Sequence, residues 1–281
     1  MKKGCFALLL ALTLLLTACT SSDAKKAPED DAEATDLTVH FFDAGKADAI
    51  LLTTANGAAL IDAGEKGFGK TILAYLEEQG IEKLDYLIIT HFDQDHVGGA
   101  AKVINNIAVG TVLQSNQPKD SEEYEKYVKA LTSAGIEPVT VRESYNFVLD
   151  GVAYSIDPPR QAEYSDDSSN NSSLIVTVTN GENRFLFTGD AQTERLAEFL
   201  DGNDTTFDVL KIPHHGKDEP LMQALIESTQ PSYAVITSSD DEPESDAVVA
   251  ALEKADVTVL LTRQGAVTFR SDGETVAAAI D

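Results

Sequence analysis

Two histidines and two aspartates stand within six positions of the segment THFDQDHVGG, residues 90–99. This segment directly follows the apolar run LDYLIIT, which has the length and composition of a buried strand. In the extended chain that leaves a strand, residues two apart face the same side, so His91 and Asp93 can reach one metal ion. Asp95 and His96 are adjacent and diverge, so they can serve a second ion nearby.

The residue types restrict which metal such a segment binds. A calcium loop of the EF-hand type begins in the same way, but its fifth position is Asp or Asn, where this chain has Val97. Imidazole beside carboxylate instead suits zinc, manganese or iron. A solvated polar turn has no need of two histidines in a chain that has five. The segment therefore predicts a transition-metal site.

Two further apolar runs end in residues of the same kind. His214 and His215 follow the run in DVLKIPHHGK, residues 208–217, and Asp190 ends RFLFTGD, residues 184–190. Three predicted strands that are each followed by a histidine or an aspartate are typical of an active site at one edge of a layered sheet.

The elements that must position these residues are strands and helices in alternation. Apolar or alternating runs predict strands at 37–42, 48–54, 58–62, 84–90, 146–156, 173–179, 184–188, 207–212, 232–237, 257–261 and 266–270. Helical periodicity predicts helices at 69–79, 97–106, 121–134, 191–201, 219–229 and 245–254. A strand meander followed by alternation with helices, twice over, predicts an α/β protein with mixed sheets and helices outside.

The N-terminus has the order of a secretory signal peptide, predicted for residues 1–18: two lysines precede an apolar stretch too short to span a membrane. LTAC, ending at Cys19, resembles a bacterial lipobox, whose cysteine is lipidated; an ordinary cleaved signal is the alternative. We expect residues 19–36 to be a lipidated flexible tether and 37–281 to be the domain. The protein is thus predicted to be lipid-anchored on the extracytoplasmic face of a bacterial membrane.

The net charge of the chain is −26 at pH 7, and such a chain repels polyanions at long range. Binding of nucleic acid would need local help from metal ions or from a lysine cluster. The composition therefore disfavours a plain DNA-binding module.

Residues 64–71, GEKGFGKT, match the phosphate-binding pattern of nucleotide-binding loops at every position. We reject a nucleotide site for two reasons. A signal peptide delivers the domain outside the cytoplasm, where nucleoside triphosphates are scarce. The next apolar strand ends in Thr90 and His91, where a nucleotide-binding protein would have a magnesium-binding aspartate. The segment is then a glycine-rich turn, and no ATP is expected.

The ordered motifs HxDxDH, TGD and PHHG, preceded by HFFDAGKADAILL (40–52) and LIDAG (60–64), resemble the metallo-β-lactamase superfamily. In particular they resemble the branch that contains the extracellular domain of ComEC-type competence proteins and their stand-alone relatives. The resemblance covers nearly all of residues 37–281. It implies a metallo-β-lactamase-like domain, a four-layered αβ/βα sandwich of two mixed sheets with helices outside. It also implies two divalent metal ions, zinc or manganese.

Transferred position by position, the resemblance implies the metal ligands His91, Asp93, Asp95, His96, Asp190 and His214. His91 and Asp93 would hold one ion, and Asp95 and His96 would hold the other. Asp190 would bridge both ions, and His214 would complete the ligands of the second ion. The commoner pattern has histidine at Asp93 and a further histidine where this chain has NNSS, residues 170–173. The choice between His214 and His215 stays open.

The negative charges of Asp93, Asp95 and Asp190 nearly balance the charge of two divalent ions. About one positive charge is left to attract an anionic substrate. A water between such ions becomes a hydroxide nucleophile, which favours phosphodiester bonds over neutral amides. Besides Asp95, the predicted catalytic residue is His215, which would donate a proton to the leaving oxygen or bind phosphate. The candidate substrate contacts are Lys46, Lys217 and Asn171.

We therefore expect a phosphodiesterase or nuclease that acts on DNA or a cell-envelope polymer, with a DNA-uptake or envelope partner. The first alternative is hydrolysis of a carboxylic ester, lactone or β-lactam at the same site. The second is a non-catalytic metal-binding surface module, which the missing histidine ligand motivates.

Overall fold

The computed structural model describes residue 1 and residues 34–281, so the predicted signal peptide and Cys19 lie outside the described part. The strands are β1 (Leu37–Phe41), β2 (Ile50–Thr53), β3 (Ala58–Ile61), β4 (Lys83–Ile89), β5 (Ala108–Gln114), β6 (Val139–Thr140), β7 (Tyr145–Leu149), β8 (Val152–Asp157), β9 (Ile175–Asn180), β10 (Asn183–Phe187), β11 (Val209–Lys211), β12 (Tyr233–Ile236), β13 (Thr258–Leu261), β14 (Val267–Ser271) and β15 (Val276–Ile280).

The helices are α1 (Gly69–Glu78), α2 (Gln94–Val97), α3 (Ala100–Ile104), α4 (Glu122–Ala134), α5 (Ser168–Asn171), α6 (Thr193–Gly202), α7 (Met222–Thr229) and α8 (Asp246–Lys254). None of the helices in the described residues has the length and hydropathy needed to cross a membrane.

The strands form two mixed sheets. One sheet has the order β15-β14-β1-β2-β3-β4-β5-β6, and the other has the order β13-β12-β11-β10-β9-β8-β7. Strands β3 to β6 are parallel in the first sheet, and β10 to β13 are parallel in the second. The other neighbouring strands are antiparallel.

A hydrophobic core joins the two sheets. Side chains alternate between the two faces of a strand, so Val39 and Phe41 of β1 point into this core together with Phe185 and Phe187 of β10. Leu186 points the other way, into an outer core beneath α6, α7 and α8. A second outer core lies between the first sheet and α1, α3 and α4. The predicted four-layered αβ/βα sandwich is therefore confirmed.

Two segments differ from their predicted form. The run at 146–156, predicted as one strand, is the β7–β8 hairpin, because Asp150 and Gly151 adopt φ values of 46° and 87° in an Asp-Gly turn. The helix predicted at 97–106 is observed as two short helices, because α2 begins earlier, at Gln94, and α3 begins after Gly99. A Cβ at this glycine would lie 2.1 Å from the Ala63 carbonyl oxygen, so only glycine permits this close approach of two backbones.

Candidate metal centre

The segment after β4 presents four of the predicted ligands. Asp93 has an extended backbone and is the N-cap residue of α2, which then turns Asp95 and His96 inward. The ring centroids of His91 and His96 are 4.1 Å apart, and both rings are fully buried. The segment thus brings these four side chains to one region, at the carboxyl end of a parallel strand where α/β proteins commonly bind ligands.

Asp190 and His215 join Asp95 and His96 in what we call the four-residue cluster. The carboxylate of Asp190, which follows β10, lies 3.3 Å from Nε2 of His96 and 3.1 Å from Nε2 of His215. One ligand atom of each residue lies within 4.8 Å of the others. This is close to the spacing of donor atoms around a single ion, whose nitrogen and oxygen ligands lie about 2.0–2.2 Å from it.

Four buried polar atoms at this place have no hydrogen-bond partner: Nε2 of His91, Nε2 of His96, Oδ1 of Asp190 and Nε2 of His215. Among the described residues, one other buried side-chain atom shares this condition, Oδ1 of Asn116. An unsatisfied buried polar atom costs about 1–3 kcal/mol. Imidazole nitrogens and carboxylate oxygens together are ligands for zinc, manganese and iron. The residues present therefore fit a divalent metal ion.

Asp62, at the end of β3, fixes the orientation of His96. Its Oδ2 lies 2.8 Å from Nδ1 of His96, so that ring nitrogen donates to it and Nε2 is left facing the cluster. The carboxylate of Asp62 is itself held, because it accepts hydrogen bonds from the backbone N–H and the hydroxyl of Thr90 at 2.8 and 2.7 Å. A buried carboxylate behind a metal-facing histidine raises the basicity of that histidine.

Thr237, after β12, has the corresponding role for His215. The Nδ1 of His215 lies 3.0 Å from the carbonyl oxygen of Thr237, which again leaves Nε2 facing the cluster. The hydroxyl of Thr237 donates to Oδ1 of Asp48 at 2.7 Å. Both cluster histidines are therefore held from behind by groups on different strands.

Lys211, the last residue of β11, places a fully buried ammonium group behind Asp190. Its Nζ lies 2.5 Å from Oδ2 of Asp48, 2.9 Å from the Gly189 carbonyl oxygen and 3.5 Å from Oδ1 of Asp190. Burial lowers the pKa of Lys211, but the two carboxylates outweigh burial and raise it. Lys211 therefore remains charged and neutralises Asp48.

The electrostatics of the cluster favour bound positive charge. Burial lowers the pKa values of His96 and His215, but the surrounding carboxylates, with Asp190 the strongest, together outweigh burial and raise both. Burial raises the pKa of Asp190, whereas His215, His96 and Lys211 hold it well below its usual range. His91 differs, because burial and the neighbouring His96 both lower its pKa. Asp190 thus stays anionic and draws cations to the cluster.

His214 lies outside the cluster. The residues 214 and 215 both have left-handed backbone, with φ values of 49° and 54°, and this turn directs the two rings to different places. Nδ1 of His214 lies 2.9 Å from Oε1 of Glu219 and 3.0 Å from Nε2 of Gln192. The sequence-based ligand set contains His214, but the structure brings His215 to the cluster in its place.

Asp93 occupies a different environment from the other predicted ligands. Its Oδ1 is contacted by the ammonium group of Lys119 and by the hydroxyl of Ser169, and it lies 3.9 Å from Nε2 of His91. Its side chain is 24% exposed. Burial raises the pKa of Asp93, but His91 and the hydrogen bonds from Lys119 and Ser169 outweigh burial and lower it.

The three candidate substrate contacts lie in different environments. Lys46 reaches the site, with Nζ 3.3 Å from Oδ2 of Asp95. Lys217 is exposed beyond the histidine turn, and its backbone N–H donates to the carbonyl oxygen of His214. Asn171 is buried and used internally, because its amide contacts the Asp166 carbonyl oxygen and accepts a hydrogen bond from the backbone of Arg195. The structure therefore brings only Lys46 of these three to the cluster.

The predicted ligand set omits four residues that the structure places at the site. Asp48 and Asp62 stand in the motifs DAGKAD and LIDAG, and Lys211 is a charged residue within an otherwise apolar strand. A charged residue within an apolar segment indicates a buried charge that needs a partner, so the sequence alone marks these three residues as candidates. Lys119 has no such signal, since it lies in a polar segment between β5 and α4.

A family model described as the metallo-beta-lactamase superfamily matches residues 43–238. The chain belongs to this superfamily. The matched residues include the whole four-residue cluster and the groups that hold it from behind. Among solved structures, the metallo-beta-lactamase fold protein YhfI from Bacillus subtilis has a TM-score of 0.55 at 9% identity. The alignment covers 87% of this chain and 100% of YhfI, which confirms the fold.

Two curated relatives are competence proteins, which confirms the resemblance to the ComEC-type branch. The ComE operon protein 3 of Bacillus subtilis is 28% identical over 72% of this chain and 26% of its own length. The competence protein ComA of Neisseria gonorrhoeae is 29% identical over 83% of this chain and 32% of its own length. The chain thus matches a third or less of each relative.

Proposed function

We propose that the protein is a metal-dependent hydrolase of phosphodiester bonds. The observation that supports this most directly is the convergence of unpartnered, buried ligand atoms in the four-residue cluster. When bound there, a divalent ion would lower the pKa of a water molecule and polarise an oxygen of the substrate. Asp95, His96, Asp190 and His215 would hold the ion.

The lysines near the cluster favour an anionic substrate. Lys46 contacts Asp95 of the cluster, and Lys119 contacts Asp93, so two of the predicted ligands have an ammonium group beside them in a strongly acidic chain. Their side chains are 18% and 36% exposed, which leaves them accessible to a ligand. Ammonium groups held beside a site bind phosphate oxygens and orient the substrate.

The structure changes our proposal for the proton donor. Since His215 belongs to the metal set, its neighbour His214 takes the role of proton donor in this proposal. Its Nδ1 is held by Glu219, which orients the ring as a carboxylate orients a general acid. We assign to His214 the delivery of a proton to the leaving oxygen.

The cellular setting of this activity rests on the sequence and on the relatives. The signal peptide and the lipidated Cys19 place the protein on the extracytoplasmic face of the membrane in our proposal. The names of the relatives favour DNA over a cell-envelope polymer as the substrate, and a DNA-uptake protein as the partner.

The test compares hydrolysis of bis-p-nitrophenyl phosphate, single-stranded DNA and nitrocefin by the protein loaded with manganese or zinc. We expect phosphodiester turnover that Asp95→Ala abolishes and that Asp201→Asn leaves unchanged, because Asp201 is an exposed residue of α6. Turnover of nitrocefin alone would assign the site to ester, lactone or β-lactam chemistry. Bound metal without any turnover would indicate a non-catalytic binding module.

A further inference from the structure

The Asp93 side of the site, formed by His91, Asp93, Lys119 and Ser169, already contains a cation. The ammonium group of Lys119 contacts Oδ1 of Asp93 and lies 3.2 Å from the hydroxyl of Ser169. Lys119 comes from the segment after β5, and Ser169 belongs to α5, so two separate elements converge on this carboxylate. The contact is therefore built by the fold rather than by neighbours in sequence.

On the Asp93 side, the carboxylate that a second ion would need is already paired. Nε2 of His91 faces it without a partner, but Oδ1 of Asp93 is already engaged by Lys119 and Ser169. The chain has five histidines, and the fifth, His40, stacks on Tyr75 with ring centroids 4.3 Å apart. The remaining ring, His214, is held by Glu219 and Gln192. A second ion would therefore need the Asp93 carboxylate that Lys119 occupies.

The charges that surround the site fit one divalent ion. Four carboxylates contact the cluster histidines, those of Asp48, Asp62, Asp95 and Asp190, and Asp93 contacts His91. The ammonium groups paired with these carboxylates are Lys46, Lys119 and Lys211. Five negative and three positive charges leave two negative charges. One divalent ion neutralises these charges, whereas two ions would leave an excess of two positive charges in a partly buried place, where unpaired charge is costly.

We propose that Lys119 replaces one of the two metal ions, so that each chain binds a single divalent ion and Lys119 supplies the second positive charge beside Asp93. This proposal rests on the proposed function, because it assigns the ion to the four-residue cluster. An ammonium group at this position would supply a positive charge to the substrate phosphate in place of the second ion. The chemical class of the substrate, a phosphodiester, is unchanged.

The test is the number of metal ions bound per chain. Protein stripped with EDTA is titrated with Mn²⁺ in a calorimeter, and the bound metal is counted by elemental analysis after gel filtration. We expect one ion in the wild-type protein and two ions in Lys119→Met, because that variant frees the carboxylate of Asp93. Lys119→Arg retains the positive charge and is expected to bind one ion. The matched control is Lys126→Met, which removes an exposed lysine of α4 that pairs with Glu122, and it is expected to bind one ion.

The outcomes separate this inference from the proposed function. Two ions in the wild-type protein would overturn the role of Lys119 and leave the metal-dependent hydrolase intact. No bound ion in the wild-type protein would overturn both. One ion in a Lys119→Met protein whose thermal unfolding matches that of the wild type would also overturn the role of Lys119, because the freed carboxylate would then have gained no metal.

Discussion

The two sides of the metal centre contain similar side chains, and they differ in what already satisfies those side chains. In the four-residue cluster, the imidazole Nε2 atoms and one carboxylate oxygen are buried without partners. On the Asp93 side, the carboxylate is partly exposed and paired with Lys119 and Ser169. The ligand motif alone therefore does not determine how many ions bind, because neighbouring lysines compete for the same carboxylates.

The hydrogen bonds that hold the histidine rings also differ between the two sides. Asp62 and Thr237 hold the cluster histidines by their Nδ1 atoms. Nδ1 of His91 has only longer contacts, 3.2 Å to the Thr90 hydroxyl and 3.4 Å to the Ser173 hydroxyl. A histidine with a buried carboxylate behind it is the better metal ligand. The cluster is therefore organised for metal and the Asp93 side is not.

The largest effect on metal binding is expected from the two adjacent histidines. His215→Ala removes a cluster ligand and should weaken binding of Mn²⁺ by more than about 100-fold, above what loss of an outer partner costs. His214→Ala should leave the metal affinity within about threefold, since that ring contacts Glu219 and Gln192 instead. Calorimetric titration of both variants measures the difference. An equal loss in the two variants would contradict the assignment of His215 to the cluster.

A smaller effect is expected from the residue behind His96. Asp62→Asn removes the charge that orients this ring and should weaken metal binding by about 10–100-fold. The matched control is Asp85→Asn, because Asp85 also holds a backbone N–H of a neighbouring segment, that of Ala58, but lies away from the metal ligands. Metal titration and thermal unfolding are measured on both. Unchanged affinity in Asp62→Asn would show that the cluster needs no such support.

The smallest effect concerns the stability of the turn that presents His215. Ser245 donates its backbone N–H to Gly216 of this turn at 2.9 Å, and the adjacent Glu244 is held by Arg263 and Ser238. The hydrogen bond from Arg263 lowers the pKa of Glu244 to about 2, below the value near 4.3 expected in the unfolded chain. A depressed pKa stabilises the fold above the unfolded value and loses this effect as the pH falls towards 2.

Glu244→Gln should therefore lower the midpoint of urea unfolding at pH 7 and differ less from the wild type at pH 3. Unfolding curves of both proteins at these two pH values provide the measurement. A difference that is independent of pH would show that the ion pair with Arg263 does not stabilise the turn.

The sequence predicts the layered fold and one edge of the site well, because both depend on local periodicity. The alternation in β1 and β10 and the helical period of α4 are readable directly. Strand β5 escapes prediction because Gly110 interrupts its pattern, and β15 escapes because it is an exposed strand rich in alanine. Apolar and polar residues do not alternate clearly enough along these two strands to indicate the two-residue period of a strand.

The parts of the site that escape prediction depend on tertiary geometry. Two adjacent histidines diverge in any regular backbone, so only the left-handed turn at residues 214 and 215 determines which ring faces Asp190. Lys119 is distant in sequence from Asp93, and nothing local marks the lysine that reaches the carboxylate. The residue types of the ligands are thus predictable from the ends of the strands. Which histidine joins the cluster, and that Lys119 pairs with Asp93, can be learned only from the folded structure.

Anomalous diffraction from a crystal grown with Mn²⁺ would locate the divalent ion that we assign to the four-residue cluster. We expect one anomalous peak per chain, in contact with Nε2 of His96, Nε2 of His215 and the carboxylate of Asp190. A peak at His214 instead would contradict the assignment of the ion to the cluster. A second peak of equal height on the Asp93 side would contradict only the role of Lys119.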